Sequence, residues 1–137
     1  MMDRVFLDAN VIFSAGYKPT SLRKLWDLPD VMLVSSNYAV REAEVNLERI
    51  RPEAIAELSA LLERVKIYPT PRLSPLPTMV NLVEKDMPIL QGAITVRATH
   101  LLTGDVKHFG HLFGTICAGV LVLPPSEYLR KKVSLSD

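Results

Sequence analysis

Apolar side chains run almost unbroken from Val5 to Phe13, through Val5-Phe6-Leu7-Asp8-Ala9-Asn10-Val11-Ile12-Phe13, the pattern of a strand covered on both faces. One carboxylate, Asp8, interrupts the run. Burying a lone carboxylate is expensive unless it is paired, hydrogen-bonded or bound to a metal, which puts Asp8 at the carboxyl edge of its strand, where doubly wound sheets bind ligands. The alternative is a loop carboxylate capping the next turn. Ser14 to Pro19 has the small residues and proline of a loop, and Thr20 or Ser21 caps a short helix through Leu22, Leu25 and a core Trp26. Val31 to Val34 reads as a second strand. Ser35 or Ser36 then caps a helix with Val40, Ala43, Leu47 and Ile50 on its buried face, ended by Arg51-Pro52.

A further helix turns Ile55, Leu58, Leu61, Leu62 and Val65 inward, and Lys66-Ile67-Tyr68 forms a brief edge strand stopped by Pro69. Four prolines between Pro69 and Pro77 give an extended connector, and a short helix is expected within Leu76 to Glu84. Asp86-Met87-Pro88-Ile89-Leu90 opens a firmer helix, on which Gly92 and Ala93 permit close packing against a sheet. His100-Leu101-Leu102 forms a strand ending in Thr103-Gly104-Asp105, with a turn or short helix at Lys107 to Gly110. Val120 to Leu123 is the last strand, and a terminal amphipathic helix has Arg130, Lys131 and Lys132 as a solvated end. Strands alternating with helices predict an α/β fold of three layers, α/β/α, around a central, mainly parallel sheet of four to five strands.

At 137 residues the chain suits a single domain spanning 1–137, long enough to bury a core without disulfides or structural metal. A net charge of +1 argues against gripping nucleic acid by bulk positive charge, yet leaves room for a basic rim around an acidic site. The one cysteine, Cys117, suits a reducing compartment. No charged-then-apolar leader precedes Asp3 and Arg4, and no apolar run approaches the ~18 residues that span a bilayer, so a cytoplasmic protein without membrane contact is expected.

Two apolar strands each deliver an acid at their carboxyl end, Asp8 and Asp105, and parallel neighbours would bring them together. Asp86 stands at a helix start, where capping alone could account for it. Glu42 and Glu44 flank the buried face of their helix, and periodicity does not choose between them; Glu42 shares a stripe with Asn46, which could tie its carboxylate in place. Two like charges ~5 Å apart repel by roughly 3 kcal/mol at an effective dielectric near 20. Such a cluster needs cations or protons. Oxygen ligands suit Mg²⁺ or Mn²⁺, ions that activate water and bridge phosphates in phosphodiester hydrolysis. His108 and His111, without cysteines or further histidines nearby, read as surface or capping residues.

Four segments together resemble the PIN domain: Val-Phe-Leu-Asp8-Ala-Asn10-Val, Glu42-Ala-Glu-Val-Asn46-Leu47, Lys85-Asp86-Met-Pro88-Ile-Leu, and Leu-Leu-Thr103-Gly104-Asp105-Val-Lys107-His108-Phe109. The likeness covers nearly the whole chain, which is similar to PIN-family toxins of toxin–antitoxin modules. It implies a small Mg²⁺- or Mn²⁺-dependent ribonuclease, commonly a homodimer, with an antitoxin partner. It carries Asp8, Glu42, Asp86 and Asp105 into the metal site and prefers Glu42 over Glu44. Asn10 and Thr103 match the motif as residues orienting the carboxylates or the water. One departure is Thr99-His100, where many members have an acid before the strand leading to Thr-Gly-Asp.

The expectation is a metal-dependent endoribonuclease, with Asp8 and Asp105 holding the first cation and Glu42 and Asp86 completing its sphere. Lys18, Arg23 and Lys107 would contact RNA phosphates, against solvated surface charge as the plainer reading of Lys18, Arg23 and Lys24. The rival is a non-catalytic PIN-like module binding RNA or a protein. An aspartyl-phosphate phosphatase fits less well, because that chemistry wants a second acid where this chain has Asn10.

Overall fold

The computed structural model describes residues 2–70, 72 and 81–136. Strand β1, Asp3–Leu7, lies in the middle of a six-stranded sheet. The other strands are β2 (Val31–Ser36), β3 (Lys66–Tyr68), β4 (His100–Leu102), β5 (Ile116–Cys117) and β6 (Val120–Leu123), in the order β3-β2-β1-β4-β6-β5. All neighbours run parallel except β5, which is antiparallel to β6. The sheet therefore exceeds the expected four to five strands by β5. That strand and β6 are joined by Ala118-Gly119, both at positive φ (50° and 87°), as a tight hairpin turn requires. An alanine there costs about 1 kcal/mol and is no turn signal in a sequence.

Val5, Phe6 and Leu7 are fully buried because helices cover both faces of the sheet. Phe6 meets α4 (Met87–Thr95), where a Cβ on Gly92 would lie 3.0 Å from Phe6 Cζ. Asp3, two and four residues from Val5 and Leu7 on the other face, accepts a 2.7 Å hydrogen bond from Tyr128 Oη on α6 (Pro125–Ser136). Lys132 Nζ lies 3.0 Å from the same Asp3 oxygen, so this lysine is paired rather than part of a solvated end.

The apolar run after Asp8 is helical, not strand. Helix α1 spans Ala9–Tyr17 and takes in the segment expected as a loop from Ser14. Strand and helix are both buried, so the run continues across their junction and periodicity does not mark it. Helix α2 (Asn37–Ile50) is capped by Ser36 and buries Val40, Ala43 and Leu47, whereas Ile50 at its last turn is exposed. Helix α3 (Ile55–Leu62) packs with α1 and α2 around Gly16, where a Cβ would come 3.0 Å from Leu58 Cβ. Thr20 caps the 3-10 turn Ser21–Asp27, and Trp26 is buried as expected. The proline-rich connector and the helix expected at Leu76 to Glu84 fall largely outside the described residues; residues 81–83 are not helical, and a 3-10 turn at Glu84–Asp86 leads into α4.

The strand order fixes where a site can form. From β1 the chain moves one way to β2 and β3, then returns to the other flank of β1 with β4. A parallel sheet opens a crevice beyond its carboxyl edge at such a reversal. Here the reversal lies between β1 and β4, the strands that precede Asp8 and Asp105.

Candidate metal centre

Asp8 leaves β1 with its amide bonded to Leu102 O at 3.0 Å, so the ends of β1 and β4 are tied side by side. Its carboxylate caps α1, Oδ1 accepting from Ala9 N at 2.6 Å. Oδ2 accepts from Thr103 Oγ1 at 2.8 Å and from Asn10 Nδ2 at 3.1 Å. Asn10 closes the loop by accepting from Gly104 N at 2.7 Å. Both readings of Asp8 thus meet in one residue: it caps the helix and faces the crevice. A carboxylate has about four lone-pair positions, so three donors leave one on Oδ1 for a further partner.

Burial dominates the electrostatics of Asp8, which is 4% exposed. Its pKa is pushed up from 3.8 to about 6 by burial, with help from Glu42 and Asp86 and against the hydrogen bonds from Thr103 and Ala9. Two units correspond to about 3 kcal/mol of penalty on the ionised form. Burying Val5, Phe6 and Leu7 beside it returns about 1.5–3 kcal/mol apiece for side chains of this kind, so the fold carries the acid.

Helix α5, Val106–Phe109, begins at Asp105, whose Oδ1 accepts from His108 N at 3.0 Å. Asp105 Oδ2 lies 2.8 Å from His108 Nδ1, and the same Nδ1 is 3.0 Å from Asp86 Oδ2. The ring nitrogen is in hydrogen-bond geometry with Asp105 Oδ2, its role as donor or acceptor following the tautomer. Asp86 Oδ2 is left buried without a hydrogen-bond donor. Although Asp86 precedes α4, its side chain makes no capping bond, which removes the purely structural account of it. Burial pushes its pKa up, as does Asp105, while His108 and Lys85 pull it down.

A cavity of about 450 Å³ gathers the expected acids: Asp8, Glu42, Asp86 and Asp105 all line it, together with Asn10 and Lys85. Glu42 reaches it from the exposed side of α2, and Glu44 is not among its lining residues. Asn46 shares the adjoining depression with Glu42, but its Oδ1 accepts from Arg49 Nη2 at 3.5 Å. Tyr38 Oη donates to Lys85 O at 2.7 Å, fastening the start of α2 to the turn that presents Asp86. Burial and the nearby Glu42, Asp86 and Asp8 all push the Tyr38 pKa up.

The basic residues are placed less simply. Arg23 is turned to its own fold, donating to Ala15 O at 2.8 Å and pairing with Glu57. Lys18 and Lys107 are exposed and outside the cavity lining. Lys85 is the lysine on the wall, and nothing in its sequence surroundings distinguishes it from a solvated charge. His108 is half-buried between Asp105 and Asp86 rather than a free surface residue, and its amide donates to the Asp105 cap of α5. The signal was present as an acid and a histidine three apart on one helical turn. Asp86, Asp105 and His108 each offer a ligand atom within 4.8 Å of the others, a group that could hold a metal ion.

No family model matches the chain, and no curated protein matches it by sequence. Solved structures do. VapBC2 from Rickettsia felis, bound to a DNA fragment from its promoter, has a TM-score of 0.66 at 18% identity, over 88% of this chain and 98% of that one. VapBC-1 from nontypeable Haemophilus influenzae has a TM-score of 0.56 at 18% identity, over 90% and 98%. VapC20 from Mycobacterium tuberculosis, described as a sarcin-ricin loop cleaving toxin, has 0.53 at 15% identity, over 74% and 91%. The fold is thus the PIN-like α/β fold of these VapC structures, in agreement with the resemblance of the four sequence segments. Among the described residues no helix is long and apolar enough to cross a membrane.

Proposed function

We propose that this protein is a divalent-metal-dependent endoribonuclease, the toxin of a toxin–antitoxin pair. The observation that carries this reading is the convergence of Asp8, Glu42, Asp86 and Asp105 on one cavity with a buried Asp86 oxygen lacking a donor. Four carboxylates with His108 as the one base between two of them make a poor seat for an RNA phosphate, because like charges repel by roughly 3 kcal/mol per close pair. With a cation added, the same cavity attracts one. Donors that are hard oxygens fit Mg²⁺ or Mn²⁺. Asp86 and Asp105, whose ligand atoms are close enough to share an ion, would hold it, with Asp8 and Glu42 on the cavity wall beside them.

When bound, the ion supplies a polarised phosphate and a water of lowered pKa for in-line attack on the phosphodiester. The chain supplies the geometry. Thr103 and Asn10 hold the Asp8 carboxylate in one rotamer, and Ala9 N holds its other oxygen. Tyr38 anchors the segment bearing Lys85 and Asp86, so that Lys85, on the cavity wall, could meet a phosphate entering it. Glu42 is exposed at the mouth, where it can orient the attacking water and accept its proton. Lys107 and Lys18 would extend phosphate contacts along the rim; Arg23, held by Glu57, is released from that role.

RNA as substrate is supported by likeness to a structure described as cleaving the sarcin-ricin loop, and an antitoxin partner by likeness to two VapBC complexes. The test is incubation of single-stranded RNA with the protein in Mn²⁺ or Mg²⁺, beside a chelated control and Asp8→Asn. Cleavage is expected with metal alone, reduced roughly a hundredfold or more in the variant, since even groups supporting a metal ligand are worth 10–100-fold. Equal cleavage by both proteins overturns the reading, and RNA retained intact would favour a non-catalytic binding module.

A further inference from the structure

The cavity's acids have a nitrogen among them. His108 Nδ1 lies 2.8 Å from Asp105 Oδ2 and 3.0 Å from Asp86 Oδ2. Adjacent ligand atoms on an octahedral ion with bonds of about 2.0–2.1 Å are separated by about 2.8–3.0 Å. The imidazole therefore stands to the two carboxylates as one corner of a coordination polyhedron stands to its neighbours. The ring is held there by α5, whose first turn is fixed by the bond from His108 N to Asp105 Oδ1. A second, independent observation points to a cation: Asp86 Oδ2 is buried and lacks a donor although Nδ1 is beside it. A neutral imidazole has one protonated and one bare nitrogen, and the tautomer with its hydrogen on Nε2 leaves Nδ1 bare to act as a ligand.

Carboxylates alone bind Mg²⁺ and Mn²⁺ through the same hard oxygens. An imidazole nitrogen is softer and binds first-row transition ions in preference to Mg²⁺. We infer that His108 Nδ1 is a ligand of the bound ion beside Asp86 and Asp105, and that it makes the centre selective for a transition ion such as Mn²⁺ over Mg²⁺. This inference rests on the metal-centre reading of the preceding section.

The experiment has two readouts, neither of them activity. Calorimetric titration of wild type with MnCl₂ and with MgCl₂ gives a ratio of dissociation constants, expected to favour Mn²⁺ by about tenfold or more and to shrink to within about threefold in His108→Asp, which keeps a ligand but replaces nitrogen with oxygen. Pulsed electron paramagnetic resonance of the wild-type Mn²⁺ complex is expected to show nitrogen hyperfine coupling, which needs no variant to fold. Binding of both ions with an unchanged ratio and no nitrogen coupling overturns the inference and leaves the metal centre standing. Failure of both ions to bind wild type at millimolar concentration overturns the metal centre itself, and the inference with it.

Discussion

Thr103 Oγ1 donates a 2.8 Å hydrogen bond to Asp8 Oδ2 across 95 positions of sequence, and both residues are buried. The same hydroxyl accepts from Asp105 N at 3.1 Å. One small side chain thereby sets the direction of the first strand-end acid and the backbone of the second. The bond exists because β1 and β4 are parallel neighbours with Leu7 opposite Leu102. The sheet register, rather than any local motif, builds the acidic cavity.

Thr103→Val keeps the shape and removes the hydroxyl, leaving Asp8 Oδ2 with Asn10 as its donor. A buried hydrogen bond to a charged group is worth about 1.5–3 kcal/mol. The variant is expected to lose that much stability in urea denaturation at pH 8, and Asp8 is expected to titrate above about 6 by carbon-detected NMR. Unchanged stability and titration would remove Thr103 from its role as the residue that positions Asp8.

The pH dependence of metal-free stability carries a definite sign. Asp8 holds its proton to about pH 6 when folded and releases it near 3.8 when unfolded. Between these values the native state binds more protons, so stability is highest below about 3.8 for this group and declines as pH rises to about 6, by about 3 kcal/mol in all. Asp86, also raised, adds a decline of the same sign. In urea melts with chelator present, Asp8→Asn is expected to flatten much of that slope and to equal or exceed wild type in stability at pH 7. A wild-type stability that rises with pH across this window would contradict the burial account of Asp8.

Metal should offset that penalty. Mn²⁺ at about a hundred times its dissociation constant is expected to stabilise the fold by about 2.7 kcal/mol at neutral pH. The shift is read as the change in thermal midpoint on adding MnCl₂, and Asp86→Asn should lose most of it. An equal shift in both proteins would place the ion away from Asp86.

The fold and the centre separate at Tyr128, which is 2% exposed and bonded to Asp3 at the opposite end of β1 from Asp8. Tyr128→Phe is expected to cost about 1–2 kcal/mol of stability. Calorimetry should find its Mn²⁺ affinity unchanged. A large loss of metal affinity would mean that the two ends of β1 are energetically coupled.

Much of this was legible in the sequence, for reasons that can be named. Val5 to Leu7 and Leu101 to Leu102 are apolar on both faces and each run ends in an acid, so the strand ends carrying Asp8 and Asp105 announce themselves. The junction of β1 with α1 did not, because Val11 and Ile12 are as buried as Phe6 and the apolar run on both sides outweighs the one mark of the change, Asp8 as a helix cap. The hairpin between β5 and β6 was hidden by Ala118, which adopts a positive φ without belonging to the usual turn residues. His108 escaped because its role depends on two directions at once. Asp105 turns it by capping α5, and Asp86 meets it from the turn before α4, many residues away in sequence. Arg23 looked free in sequence, and only packing shows it committed to Glu57 and Ala15.

Anomalous diffraction from crystals equilibrated with millimolar Mn²⁺ tests the central claim most directly, because it locates the ion without reference to any activity. A peak beside the carboxylates of Asp86 and Asp105, in the cavity that Asp8 also lines, is the expected result. A map with no peak in that cavity, or with its strongest peak on another face of the molecule, would contradict the account.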